Sequence, residues 1–371
     1  MSDLARQRFV SRVDGAGGTM SLADRMQASR VPGISVAVVD GGEITWSDGF
    51  GVVAFDEGSA ITPDTVFQVA SVSKLVSALG VLRLSALGQL PLDKDVRELV
   101  AWDIPVHPLA NCDGREPITV RMVLQHRSGI IGRGTTPDRR GAKFVKGGGG
   151  SHRVPDVAGS LVPTMEESWH GKAGVRHRVC ITHAPNTRKS YSGAGFLILQ
   201  HLVEQATGQS FAAWMEANVL RPLGMPTATF DLEAPPNVHL AHGHDLKGRP
   251  LPGRRELVPW ATAGGLQASA RELAAIVQVI NGHGSHNGFE LLPPAWIAAM
   301  LDQKLGIEVA RRGQKRERWY HGGTNKGFRA MVTGLPRPDA GIVLCTNGAA
   351  SDATKFRSDI VNALLEANRL A

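Results

Sequence analysis

Ser71 and Lys74 form an S-x-x-K pair, an arrangement suited to nucleophilic chemistry. Residues three apart on a helix share a face, so the ammonium of Lys74 would lie beside the hydroxyl of Ser71. A serine hydroxyl is a weak nucleophile that needs a base or a nearby cation. At a helix start, Ser71 would also gain the positive helix end and a backbone N–H for a developing oxyanion. The alternative is an ordinary N-capping serine beside a solvated lysine.

A second candidate is Tyr191, which lies in the glycine-rich turn 190–195 just before a predicted helix. The chain has only two tyrosines. A tyrosine held near a lysine ammonium has a lowered pKa and can serve as a general base. The alternative is a hydrophobic anchor for the start of the helix.

The third candidate is the stretch His321-Gly322-Gly323-Thr324, which is predicted to lie in an edge strand. Two glycines weaken a strand unless a ligand or another backbone must come close. The backbone N–H of Thr324 would then be the second oxyanion donor; the alternative for the glycines is a bulge. Strand alternation places His321 and Gly323 on one face and Tyr320 on the other, which favours Tyr191 as the base.

Hydrophobic periodicity predicts the elements that position these residues. Apolar side chains at helical spacing follow Ser71 up to Leu87, before the stop at Gly88. Further helices are predicted at 20–28, 119–129, 191–208, 211–219, 273–280 and 296–301 and around Ile360–Leu365. Strands are predicted at 33–39, 43–47, 319–323, 329–334 and 341–346, with 49–54 extended.

Strands at both ends of the chain with helices between them predict an α/β sheet domain whose strands come from both termini. Residues 1–66 and 262–371 would form this domain. Residues 67–261 would form an inserted, mainly helical domain. Within it, about 130–190 lacks periodicity and contains Gly147–Gly150. Such a long insert predicts a lid or binding loop.

The net charge of +7 is concentrated in this insert, where Lys and Arg outnumber Asp and Glu by eleven to four. A solvated loop is the simpler interpretation, and attraction of anionic substrates is the alternative. Aromatic residues are sparse among these basic residues, which argues against a nucleic-acid partner.

The composition excludes several other classes of protein. The chain of 371 residues is 42% hydrophobic and 20% charged, as in a globular protein. No stretch approaches the roughly 18 apolar residues of a membrane span, so no membrane association is expected. Residues 1–10 lack the apolar core of a signal peptide, which predicts a cytoplasmic protein.

No cofactor and no metal ion are expected from the sequence. Its three cysteines are far apart, which argues against a disulfide framework or a zinc site. The pair His242 and His244 lacks a third ligand nearby. The templates G-x-S-x-G, G-x-x-x-x-G-K-[ST] and a G-x-G-x-x-G after a strand are all absent.

The ordered set of Ser71 and Lys74, then Tyr191-Ser192-Gly193, then His321-Gly322-Gly323 resembles the serine β-lactamase-related superfamily. The similar branch contains class C β-lactamases, D-alanyl-D-alanine carboxypeptidases and the related family VIII-type carboxylesterases. Flanking stretches at 67–74, 123–129, 221–225 and 263–266 also resemble it, over about 31–347. The resemblance implies a β-lactamase/transpeptidase-like fold, with an antiparallel sheet flanked by helices and the helical domain inserted.

The resemblance also implies roles for individual residues. Ser71 would be the nucleophile, Lys74 its proton-handling partner and Tyr191 the general base and acid. Whether Lys74 or Tyr191 takes the serine proton stays open, because the two form a coupled pair. The N–H groups of Ser71 and Thr324 would form the oxyanion hole. Substrate contacts would come from the residues His321, Gly322, Gly323 and Gly193.

Two departures from the lactamase pattern bear on the substrate. Gly193 stands where lactamases usually carry Asn, which removes a side-chain donor for a substrate amide. His321 replaces the lysine that would meet a carboxylate, which weakens the recognition of penicillins. The expected activity is therefore that of a serine hydrolase, a carboxylesterase or an amidase, on small or medium esters or amides. The alternatives are an acyltransferase, a β-lactamase or D-aminoacyl peptidase, and a non-catalytic ligand binder.

Overall fold

A computed structural model describes the following residues: 2–15, 21–130, 169–170, 179–256, 260–312, 315–335, 339–349 and 353–367. Most of the predicted basic lid, residues 131–168 and 171–178, lies outside them. Within the described ranges, no helix is both long and apolar enough to cross a membrane.

A seven-stranded antiparallel sheet forms the centre of the fold, in the order β3-β2-β1-β11-β10-β9-β8. Its strands are β1 (Gly33–Asp40), β2 (Glu43–Ala54), β3 (Glu57–Ala60), β8 (Glu308–Arg312), β9 (Lys315–Asn325), β10 (Phe328–Leu335) and β11 (Ala340–Thr346). The first and last strands in the sequence meet in the middle, where β1 pairs with β11. This confirms an antiparallel sheet built from both ends of the chain.

The described helices are α1 (Ser2–Gly15), α2 (Leu22–Ala28), α3 (Val72–Ala86), α4 (Val120–Leu124), α5 (Gly193–Thr207), α6 (Phe211–Met215), α7 (Ala270–Asn281), α8 (Pro294–Gln303) and α9 (Ala353–Ala367). Two short strand pairs complete the set: β4 (Val66–Gln68) with β5 (Gln267–Ser269), and β6 (Ser285–His286) with β7 (Phe289–Glu290).

Helices cover both faces of the sheet, which explains why β1 is an almost continuous apolar run. Val36 and Val38 belong to the core that α1 and α9 close. Val39 belongs to the larger core, which also contains Leu79 of α3. Helices from the predicted inserted part therefore pack directly with the sheet. The division of the chain into two domains stays a prediction.

Local sequence signals account for several helix ends. The side chain of Thr119 accepts a hydrogen bond from the N–H of Met122, as expected of the predicted N-cap of α4. Gly208 ends α5 in the left-handed region, at φ 68°. These two predicted boundaries are confirmed.

Other elements were not predicted. β8 carries Arg311 and Arg312 and shows no apolar alternation, yet it pairs along β9 at the sheet edge. β9 begins at Lys315, upstream of the predicted start at Trp319. Edge strands tolerate charged residues because one side of the strand faces solvent. Hydrophobic pattern therefore misses them.

Asn347 ties β1 to β2, and its replacement tests this connection. Its side-chain oxygen accepts the N–H of Gly33, and its amide donates to the carbonyls of Val52 and Val53. Because each buried polar group left unpaired costs roughly 1–3 kcal/mol, we expect Asn347→Ala to lower the free energy of unfolding by about 2 kcal/mol or more in urea titrations. The exposed control Gln209→Ala should stay within about 0.5 kcal/mol of the parent chain; an equal effect of both changes would contradict the assignment.

Candidate active site

Ser71 lies in the turn between β4 and α3, at the N-terminus of that helix. Its side chain makes no capping hydrogen bond, so the structure does not support the ordinary N-cap alternative. The preceding residue, Ala70, is in the left-handed region at φ 53°. A non-glycine residue there is strained, at a cost of roughly 1–3 kcal/mol. The surrounding contacts must therefore hold this backbone in place.

Ser73 supplies two of those contacts. Its hydroxyl donates to the carbonyl of Ala70 and accepts the N–H of Leu266 at 2.9 Å. Ser77, one turn later, donates to the carbonyl of Thr262. The start of α3 is thereby fastened to the π-helical turn Ala261–Gly265.

Lys74 is buried and directs its ammonium toward the candidate nucleophile. Its Nζ donates to Ser71 Oγ over 3.4 Å and to the carbonyl of Ala263. This confirms that the S-x-x-K spacing brings the two side chains together. A positive charge beside the Ser71 hydroxyl favours the negatively charged alkoxide, which is the nucleophilic form of serine.

Tyr191 lies on the other side of this ammonium. Lys74 Nζ is 5.0 Å from the centre of the Tyr191 ring and 5.5 Å from that of Phe196. The side chain of Tyr191 is half-exposed, so it borders the open side of the site. Lys74, Ser71 and Tyr191 thus form one cluster, although they come from different parts of the chain.

β9 forms the opposite wall of the site. The ring centres of His321 and Tyr191 are 6.5 Å apart. A Cβ atom on Gly323 would lie only 2.1 Å from the carbonyl oxygen of Val69 and 3.1 Å from Cβ of Ala70. Gly323 therefore allows the strand to approach the backbone that precedes Ser71, which is the close approach expected of a glycine in a strand.

The pairing of β9 determines where the N–H of Thr324 points. Asn325 pairs with Phe328 across a two-residue turn, and Thr324 pairs with Arg329. Bonded and non-bonded pairs alternate in antiparallel ladders. If Asn325 and Phe328 form the bonded pair that closes the hairpin, the N–H of Thr324 points away from β10. β8 pairs with β9 only as far as Tyr320. This geometry is compatible with the predicted oxyanion donor, whose role stays a prediction.

Two other predicted substrate contacts lie elsewhere around the site. A Cβ on Gly322 would face Nη1 of Arg357, at 3.1 Å, on the side of α9. A Cβ on Gly193 would meet no heavy atom within 4 Å. Gly193 therefore leaves open space near Tyr191, whereas Gly322 has only its backbone to offer to a substrate.

The imidazole of His321 is kept neutral by its surroundings. Burial, followed by repulsion from Lys74, lowers the pKa of His321 to about 3, although the carbonyl of Gly322 favours the charged form. His321 therefore carries no positive charge at neutral pH. Its neutral imidazole therefore cannot supply the positive charge that, by the resemblance, a lysine at this position would offer to a substrate carboxylate.

A separate cavity of about 510 Å³ lies away from this cluster, between β4 and the loops at 233–242 and 253–255. Its charged side chains pair with each other, Arg255 with Glu233 and Arg254 with Glu57. Among the described residues, no group of three His, Cys, Asp or Glu side chains could hold a metal ion. The arrangement of groups, and not cavity size, identifies the Ser71 cluster as the candidate active site.

Sequence reasoning missed the residues that support this cluster. Ala70, Ser73 and Ala263 carry no distinctive chemistry, and their roles depend on backbone geometry. The stretch that contains Ala263 was singled out only by resemblance. His126, in another such stretch, lies with its ring centre 4.4 Å from that of Tyr191.

A family model described as Beta-lactamase matches residues 21–366, nearly the whole chain. The chain belongs to the beta-lactamase family.

Two similar sequences and one similar solved structure were found among the matches. Protein flp of Staphylococcus aureus (strain MRSA252) is 24% identical over 87% of this chain and 60% of its own length. Esterase EstB of Burkholderia gladioli is 32% identical over 63% of this chain and 57% of its own. The chain thus spans about three fifths of these relatives' length. The solved structure of EstCE1, described as a hydrolase with promiscuous acyltransferase activity, is 21% identical to this chain. It superposes with a TM-score of 0.73 over 97% of this chain and 99% of its own.

These matches confirm the expected β-lactamase/transpeptidase-like fold and the expected superfamily. They make the chain a member of a serine hydrolase family that includes an esterase.

The lowered pKa of His321 predicts a loss of stability in acid. Between about pH 6.5 and about pH 3, the unfolded imidazole binds a proton that the folded one does not. The free energy of unfolding therefore falls as the pH falls, by at most about 1.4 kcal/mol per pH unit for this residue. We expect His321→Asn, whose amide can still donate to Gly322, to make this fall shallower in urea titrations from about pH 7 to about pH 4. The exposed His283→Asn controls for loss of a surface imidazole, and parallel curves for His321→Asn and the parent would contradict the prediction.

Proposed function

We propose that the protein is a carboxylesterase that works through an acyl-enzyme on Ser71. The observation that carries the proposal is the contact of Ser71 Oγ with the buried ammonium of Lys74, beside the ring of Tyr191. A serine hydroxyl, a lysine and a tyrosine in one cluster provide a nucleophile and, once the lysine–tyrosine pair has lost one proton, a base that accepts the serine proton.

The proposed reaction has two stages. The coupled pair of Lys74 and Tyr191 reacts in the form that has lost one proton, either ammonium with phenolate or amine with phenol. Ser71 Oγ attacks the ester carbonyl carbon while its proton passes to the basic member of this pair. The N–H groups of Ser71 and Thr324 would stabilise the oxyanion. The C–O bond to the alcohol then breaks, and the alcohol takes up a proton from the same pair. Water next attacks the acyl-serine and releases the acid, which restores Ser71.

Two observations favour uncharged small or medium acyl esters. His321 is neutral at neutral pH, so it offers no cation to a substrate carboxylate. Gly193 presents only open space where a side-chain amide would bind a substrate amide. The naming of the relative EstB as an esterase supports the same substrate class. An amide substrate remains the second option for this cluster, because the same nucleophile can attack an amide carbonyl.

Acyl transfer to an alcohol or amine is the alternative outcome of the same acyl-enzyme. The structural neighbour EstCE1 is described as a hydrolase with promiscuous acyltransferase activity, which supports this alternative. It differs only in the group that intercepts the acyl-serine. Exclusion of water from the site would favour it, and product analysis with added alcohols distinguishes it from hydrolysis.

Ser71→Ala tests the nucleophile. We expect it to reduce turnover of a short-chain p-nitrophenyl ester by about 10³-fold or more, because the acyl-enzyme can no longer form. The exposed Ser59→Ala on β3 is the matched control and should leave the rate unchanged. A chromogenic cephalosporin assayed in parallel should be cleaved far more slowly than the ester. Retained turnover in Ser71→Ala would disprove the proposal, and fast cephalosporin cleavage would overturn the choice of substrate class.

Gly323→Ala tests the close approach of β9 to the nucleophile. A methyl group 2.1 Å from the carbonyl of Val69 must push the strand away from the turn that holds Ser71. Displacement of about 1 Å costs on the order of 10²-fold in rate, so we expect a loss of this size in kcat/KM. Gly58→Ala on β3 is the control, because a Cβ there meets nothing within 4 Å. Equal rates for the two variants would contradict this role of Gly323.

A further inference from the structure

His126 contacts both backbone N–H groups that flank Tyr191. The N–H of Ser190 donates to the carbonyl of His126 at 2.7 Å. The N–H of Ser192 donates to Nδ1 of the His126 ring at 3.2 Å. One residue therefore fixes the backbone immediately before and immediately after the candidate base.

The ring of His126 also packs against the side chains of the site. Its centre lies 4.4 Å from that of Tyr191 and 5.3 Å from that of Phe196. His126 is buried, whereas Tyr191 is half-exposed. Solvent cannot hold an exposed ring in one orientation, so the buried imidazole provides the rigid surface against which the phenol rests.

The hydrogen bond from Ser192 also fixes the protonation state of the imidazole. Nδ1 can accept this bond only if it carries no proton, which places the hydrogen of the neutral ring on Nε2. Burial, and then repulsion from Lys74 and, less strongly, from Lys189, lowers the pKa of His126 well below its usual value. The ring therefore stays neutral near neutral pH, and the bond to Ser192 is kept.

The backbone of His126 is itself held in an unusual conformation. Its φ is 57°, in the left-handed region just after α4. The next residue, Arg127, donates through Nε to the side-chain oxygen of Asn186 and accepts the N–H of Asn186 at its carbonyl. Contacts with the chain that leads to Tyr191 thus support this strained residue from both sides.

We propose that His126 is a positioning residue that holds Tyr191 against Lys74 and Ser71 for the reaction. The inference rests on the proposed function, because it assigns a task to Tyr191. Its main requirement is a hydrogen-bond acceptor for the N–H of Ser192, and the ring adds a flat surface against the phenol. Phenylalanine keeps only the ring, and asparagine keeps an acceptor near the position of Nδ1.

The test uses His126→Phe and His126→Asn, each alone and combined with Tyr191→Phe. We expect His126→Phe to lower kcat for the p-nitrophenyl ester by about 10- to 100-fold with KM within about twofold. His126→Asn should recover most of the lost rate. In the Tyr191→Phe background, His126→Phe should cause little further loss, because the residue through which it acts is gone.

A second readout does not depend on turnover. The chain has only two tyrosines, so Tyr320→Phe leaves Tyr191 as the single phenol whose ionisation can be followed by ultraviolet absorbance. We expect His126→Phe in this background to move the midpoint of that titration, since it changes the distance of the phenol from Lys74. His126→Asn should move it less.

Either of two results would overturn the proposal. One is an equal loss of kcat from His126→Phe with and without Tyr191, which would assign His126 a general structural role. The other is an unchanged titration of Tyr191 in His126→Phe with the urea midpoint preserved. Failure of the proposed function is recognised separately, since ester turnover would then survive Ser71→Ala whatever the titration of Tyr191 shows.

Discussion

The buried ammonium of Lys74 is the interaction on which the rest of the candidate site depends. Burying a charge is costly unless polar groups surround it, and here Ser71 Oγ and the carbonyl of Ala263 accept its hydrogen bonds. The same charge repels protons from His126 and His321. One cation therefore contacts the nucleophile and also keeps two neighbouring imidazoles neutral. This neutrality allows His126 to accept a bond and removes His321 as a binding site for carboxylates.

The second constraint is backbone packing around the start of α3. Ala70 is held in a strained conformation while Ser73 bonds both to it and to Leu266. On the other side, Gly323 lets β9 come within contact of Val69. Strain at one residue is maintained because its neighbours are fixed by a strand, a helix and a π-helical turn. The candidate nucleophile Ser71 is thus placed by main-chain contacts, and the proposed chemistry depends on the side chains around it.

The fold depends on the whole chain, whereas the choice of substrate depends on a few residues around the site. The family and the β-lactamase-like architecture follow from the whole chain. Activity within such a family is decided by a few positions, because one scaffold supports many reactions. In this chain, Gly193 and His321 depart from the lactamase pattern that the sequence resembles, and the proposed substrate class depends on these two positions.

The sequence by itself determined the order of the motifs, the helix that begins after Ser71 and five of the seven strands of the central sheet, because these depend on local spacing and on hydrophobic period. It also paired Ser71 with Lys74, which lie one helical turn apart. It missed β8, whose charged edge strand has no apolar alternation. Only the tertiary structure showed the strained backbone at Ala70 and the contacts of His126 with Tyr191 and its two neighbours. These features depend on contacts between segments far apart in the chain, which no local pattern records.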